Sequence, residues 1–106
     1  MKEKQLAVIQ HYGEAHQRRK LEEEVLELQE AIIEYSIMSK LYKRQKDESD
    51  KAKKHLANLR TNVVEELSDV TNLIGQFRLL FEMTDEEVNQ VLIAKVDRTY
   101  ADMLDE

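Results

Sequence analysis

Residues 21–35, Leu21-Glu22-Glu23-Glu24-Val25-Leu26-Glu27-Leu28-Gln29-Glu30-Ala31-Ile32-Ile33-Glu34-Tyr35, decide the fold. Leu21, Val25, Leu28, Ile32 and Tyr35 recur at steps of four and three, the apolar stripe of an amphipathic helix, and the pattern predicts one long helix from about Ala15. A second stripe runs through Leu56, Leu59, Val63, Leu67 (or Glu66), Val70, Ile74, Phe77 and Phe81. Between the two, residues 43–54 contain no apolar residue larger than Ala. A helix-to-helix turn is expected there, with Asp47, Ser49 or Asp50 as the N-cap of the second helix.

Working outward, Leu6, Ile9 and Val8 predict a short helix over Glu3–Tyr12, stopped by Gly13, which tolerates the left-handed conformation of a helix end. Thr84-Asp85-Glu86-Glu87 has the form of a capping box, and Val88, Val91, Leu92 and Val96 predict a last helix to about Leu104. The expectation is an all-α chain forming a single domain over 1–106. It is an antiparallel helical bundle of three long helices plus a short N-terminal helix. Leu73, Leu80 and Ile33 extend beyond a single seam, so the bundle is expected to be completed by homo-oligomerisation, as a homodimer or homotetramer.

Composition narrows the function. The chain has 106 residues, 22 Asp plus Glu against 16 Lys plus Arg, a net charge of -6, two Gly, and no Pro, Cys or Trp. Without Cys there is no disulfide framework, thiolate nucleophile or thiolate zinc site. Gly13 and Gly75 lie too far apart for a phosphate-cradling loop. No apolar run approaches a membrane span, and no signal-like stretch opens the chain, so a cytoplasmic protein without membrane association is expected. Net acidity makes nucleic acid a poor partner. The charge is uneven: residues 35–61 hold eight bases and three acids, the remainder eight bases and nineteen acids. The basic stretch reads first as a solvated hairpin tip.

Acids three apart share a helix face and can hold a hard cation together. Six such pairs occur, at 24/27, 27/30, 47/50, 66/69, 82/85 and 102/105, and about four or five would arise by chance at this acid content. Context separates them. Glu24/Glu27 and Glu66/Asp69 lie within the two strong apolar stripes, where carboxylates are costly unless paired or metal-bound. If the long helices pack antiparallel, these two pairs come level, because their common midpoint falls between Lys46 and Asp47, inside the expected turn. Glu24, Glu27, Glu66 and Asp69 are therefore candidate metal ligands, with Glu30 in reserve. An all-oxygen set suits Mg2+ or Mn2+ rather than zinc. A ferritin-like di-iron site needs Glu three residues before each of two His. Those positions before His11, His16 and His55 are Val8, Gly13 and Ala52.

At these residues the chain resembles the MazG-like members of the all-alpha nucleoside triphosphate pyrophosphohydrolase superfamily, marked by an E-E-x-x-E helix followed by an E-x-x-D helix. Glu23-Glu24-Val25-Leu26-Glu27 matches the first element and Glu65-Glu66-Leu67-Ser68-Asp69-Val70 the second, with Ser68 where many relatives have Gly. The lead-in Tyr12-Gly13-x-x-x-Gln17 with Lys20-Leu21, and the late Lys95-Val96-Asp97-Arg98, are similar to the short single-domain members. The 38 residues between Glu27 and Glu66 exceed the family's usual interval, and the excess falls on the basic tip.

The resemblance implies hydrolysis of a nucleoside triphosphate to the monophosphate and pyrophosphate, a nucleotide-pool-cleaning reaction. In that reading Glu24, Glu27, Glu66 and Asp69 hold Mg2+, Glu23 and Glu27 act in catalysis on water, and Lys95 and Arg98 meet the phosphate tail. Asn62 is a candidate for base or ribose contact and equally a polar residue at the seam edge, and Gln17 stands in the same position. Two other functions compete: a non-catalytic helical oligomerisation or adaptor module, and a regulator that touches nucleic acid through the basic tip.

Overall fold

Gly13, at φ +91°, breaks the chain between its first two helices. The computed structural model describes all of residues 1–106 as α1 (Lys2–Tyr12), α2 (Glu14–Arg44), α3 (Asp50–Leu80) and α4 (Asp85–Leu104), with no strand. The turn between the long helices is shorter than the polar stretch that announces it. Each helix runs into that stretch, leaving 45–49, and Ser49 is the N-cap, its Oγ accepting from the Ala52 amide at 3.2 Å. Glycine is absent from the turn because Lys46 itself takes the left-handed conformation (φ 55°) while the Asp47 amide donates to the Tyr42 carbonyl. The same arrangement ends α3, with Glu82 at φ 56° and the Met83 amide on the Arg78 carbonyl. Thr84 and Glu87 then form the expected capping box of α4.

The long helices are antiparallel. Gln17 Nε2 donates to Gln76 Oε1 at 2.9 Å at one end, and the Tyr42 hydroxyl meets His55 Nδ1 at 2.8 Å at the other. The covered stripe of α2 is Gln17, Leu21, Glu24, Leu28, Ala31, Tyr35, Met38 and Tyr42; that of α3 is Ala52, Leu56, Leu59, Val63, Glu66, Val70, Leu73 and Phe77. Both alternate steps of four and three, the repeat of a left-handed helix pair. The seam is thus rotated from the expected stripes. Val25, Ile32, Leu67, Ile74 and Phe81 stay substantially exposed, whereas Leu73, expected outside the seam, is core. The rotation places Glu24 and Glu66 at core positions, with Glu66, not Leu67, in the stripe. α1 lies on α3, burying Ile9 and seating the Gln5 side chain over Gly75, where a Cβ would stand 2.7 Å from Gln5 Nε2.

α4 departs from the expected bundle. None of its residues is buried and it packs on no other helix. Only its first turn is tied, through Asp85, to Lys2 Nζ at 2.9 Å and Arg78 at 2.7 Å. The packed unit within one chain is therefore α1, α2 and α3. Only eight residues are buried, and three of those, Gln17, Glu24 and Gln76, are polar. No helix is long and apolar enough to cross a membrane.

Candidate metal centre

The heptad-like stripes aim Glu24 of α2 and Glu66 of α3 into the same seam, and Asp69, one turn after Glu66, borders it. Glu24, Glu66 and Asp69 each offer an oxygen, and these oxygens lie within 4.8 Å of one another. Glu24 is only 6% exposed. One of its oxygens, Oε1, is 3.2 Å from Lys20 Nζ. The other, Oε2, is buried without a hydrogen-bond partner, and so is Oε2 of Glu66. An orphaned buried carboxylate oxygen is unusual in a folded chain, and here two neighbouring acids each carry one.

The electrostatics are those of crowded acids. Desolvation, reinforced by the neighbouring carboxylates of Glu24 and Glu27, pushes Glu66 up to about 7. Burial acts on Glu24 in the same sense, but the Lys20 ammonium bonded to Oε1 opposes it, and Glu24 is held below the usual carboxylate range. Lys20 is raised in turn, chiefly by its bond to Glu24. No ion pair reaches Glu66 or Asp69. With Glu24, Glu66 and Asp69 all ionised, the three carboxylates and the Lys20 ammonium leave two negative charges, which match one divalent cation. The donors are all carboxylate oxygens, so the set fits Mg2+ or Mn2+. The three imidazoles are engaged elsewhere: His55 bonds Tyr42, His16 stacks on Tyr12 and bonds Gln17, and His11 lies edge-on to Tyr12.

Around this cluster the other sequence-derived residues divide into two groups. Glu27 lies beside it, lining a cleft of about 340 Å³ with Glu30, Glu34, Asn62 and Glu66. Asn62 therefore faces the acidic cleft, as its position one turn before Glu66 implied. Glu23 is on the solvent side of α2, 4.0 Å from Lys20. Lys95 and Arg98 sit on α4, which packs on no other helix, so a single chain does not bring them to the carboxylates. Gln17 is committed to the seam through its bond with Gln76. A surface depression of about 660 Å³ along the outer part of α4, from Lys95 to Glu106, contains none of the clustered carboxylates of α2 and α3 and reflects that helix's bare apolar face.

Two residues of the site escaped sequence reasoning. Lys20 was legible only as part of the family lead-in, although its spacing of four from Glu24 was a usable signal. Gln76 carries no motif, and its burial depends on where α2 and α1 meet α3. No protein-family model matches the chain, and comparison with curated proteins and with solved structures returned no match.

Proposed function

We propose that the protein is a Mg2+-dependent nucleoside triphosphate pyrophosphohydrolase that releases pyrophosphate and the nucleoside monophosphate, acting in nucleotide-pool cleaning. The observation that carries this reading is the pair of buried, unpartnered Oε2 atoms of Glu24 and Glu66, two acids whose carboxylates gather with that of Asp69. A fold of this size has little reason to hold half-satisfied carboxylates in its main seam unless a cation completes them.

Glu24, Glu66 and Asp69 hold the ion, with Glu27 adjoining. When bound, Mg2+ supplies positive charge against phosphate oxygens and lowers the pKa of water. Glu27, in the open cleft, accepts the proton of the attacking water, and Glu23 helps orient it. Asn62 stands at the cleft wall to contact base or ribose. Lys95 and Arg98 meet the triphosphate tail in an assembly in which α4 of a second copy lies against α2 and α3.

The need for a second copy has support in the chain's dimensions. Its accessible surface is 8699 Å², whereas a compact monomer of 12.5 kDa exposes about 6,200 Å². Its radius of gyration is 18.2 Å against about 13 Å for a compact chain of this length. The excess is of the order that obligate dimers bury. The same observation favours the second reading, a non-catalytic oligomerisation or adaptor module.

Pyrophosphate release across canonical, modified, deoxy- and phosphoribosyl nucleotides, with Mg2+, Mn2+ or EDTA, separates the two. Turnover that needs the divalent ion and is lost in Glu27→Gln and Asp69→Asn supports the enzyme. Absence of turnover with every nucleotide supports the adaptor.

A further inference from the structure

Three residue pairs on α2 and α3 are centred on one point, midway between Lys46 and Asp47: Gln17 with Gln76, Glu24 with Asp69, and Glu27 with Glu66. Glu24 follows Gln17 by seven positions and Gln76 follows Asp69 by seven, so the amide level lies two turns, about 10.5 Å, from the acidic level along both helices.

The two levels act on the register in opposite directions. At the acidic level, carboxylates are forced together, and sliding α3 along α2 relieves that repulsion. The apolar contacts oppose a slide only weakly, because a four-three stripe offers similar partners after each repeat. At the amide level a slide is heavily penalised. Gln17 and Gln76 are 5% and 2% exposed. Their bond is 2.9 Å long, and Gln17 Oε1 is also 2.7 Å from His16 Nδ1. Displacement by one turn strands both amides in a dry seam and incurs their full desolvation penalty. The neighbouring turn of α3 is fastened to α1 as well, through Gln5 over Gly75 and its bond to Asn72 at 3.2 Å.

We infer that Gln17 and Gln76 are positioning residues, a polar pin that sets the α2–α3 register and so holds Glu24 against Glu66 and Asp69 before any cation arrives. The pin's effect on cation binding rests on the metal reading above; its effect on register does not. Buried polar groups that specify register at little gain in stability are known from helical assemblies.

The test uses the full chain, which has no cysteine. Spin labels are placed at Glu22→Cys and Thr71→Cys, two exposed positions level with one another, and labelled protein is diluted into unlabelled protein so that only distances within one chain are read. The volume-conserving Gln17→Met/Gln76→Met variant is compared with the parent, and Gln17→Met alone serves if the double variant does not fold. Binding of Mn2+ alone and thermal unfolding are measured alongside.

The expected result is one narrow distance in the parent. In the variant it shifts or broadens by about a helical turn, roughly 5 Å. Mn2+ affinity falls about tenfold or more while Tm is unchanged or higher. An unchanged distance overturns the pin, whatever happens to Mn2+. A shifted distance with parental Mn2+ affinity overturns the positioning role. A parent that binds no Mn2+ refutes the metal reading instead, and the distance comparison still decides the register.

Discussion

Glu24 and Glu66 meet across the α2–α3 seam, each with a buried Oε2 that has no hydrogen-bond partner. Both occupy positions of a four-three stripe that an apolar side chain would fill more stably. Lys20 bonds Oε1 of Glu24, whereas Oε2 has no partner, and the carboxylates of Glu24, Glu66 and Asp69 gather within 4.8 Å of one another. The seam therefore combines two functions: it holds the fold together along most of its length, and at one level it sacrifices stability to concentrate negative charge.

That sacrifice has a pH signature. Glu66 titrates near 7 in the folded chain against an ordinary value of 4.5, so between these values the folded state keeps a proton that the unfolded chain has lost. Its contribution is most favourable at the acidic end of this window and is lost as pH rises through 7. Glu24, held low, acts only in more acidic solution. Without divalent ions, Tm should fall from pH 5 to pH 8, and Glu66→Gln should flatten that slope. Mg2+ should raise Tm more at pH 8 than at pH 5, since the ion competes with the proton.

Removing one charge from the cluster should separate function from folding. Glu24→Gln and Asp69→Asn are expected to lower pyrophosphate release by roughly two orders of magnitude or more. Helical circular dichroism and oligomer size should stay unchanged, because neither substitution alters side-chain volume. Activity at parental levels in both variants rules out the carboxylate site.

The bare face of α4 makes a separate prediction. Leu92 and Val96 are each more than half exposed on a helix with no partner in its own chain. Leu92→Glu with Val96→Glu should convert the assembly to a monomer in light scattering and sedimentation. If Lys95 and Arg98 meet the carboxylates of a second copy, as proposed, the same variant should also lose turnover. A parent that is a stable monomer at micromolar concentration excludes the shared site.

Two helix ends carry correctable strain. Lys46 and Glu82 hold the left-handed conformation that favours glycine. Lys46→Gly and Glu82→Gly should each stabilise the chain by about 1 kcal/mol. Denaturant midpoints measure this directly, and Glu82→Gly, away from the carboxylates, should leave activity intact.

Much of this protein could be read directly from its residues. The four helices, the Gly13 break, the Thr84 cap, and the level meeting of the 24/27 and 66/69 pairs all depend on local periodicity and on counting from one turn, whereas Ser49 was one of three cap candidates with Asp47 and Asp50. What only the tertiary structure decided is the rotation of the helices, the Gln17–Gln76 contact and the isolation of α4. A stripe with apolar residues on both flanks does not specify which flank faces inward, so Val25 and Ile32 read as core while Glu24 occupies it, and Leu73 replaces Ile74. Gln76 shows no signal in the chain and becomes a buried partner of Gln17 only where three helices converge. Lys95 and Arg98, plausible beside the acids by motif, lie on a helix that the Phe81–Thr84 turn and the Asp85 ion pairs send away from the seam. Local propensity acts within a few residues, whereas rotation about a helix axis and the direction of a chain after a turn are settled by which surfaces meet.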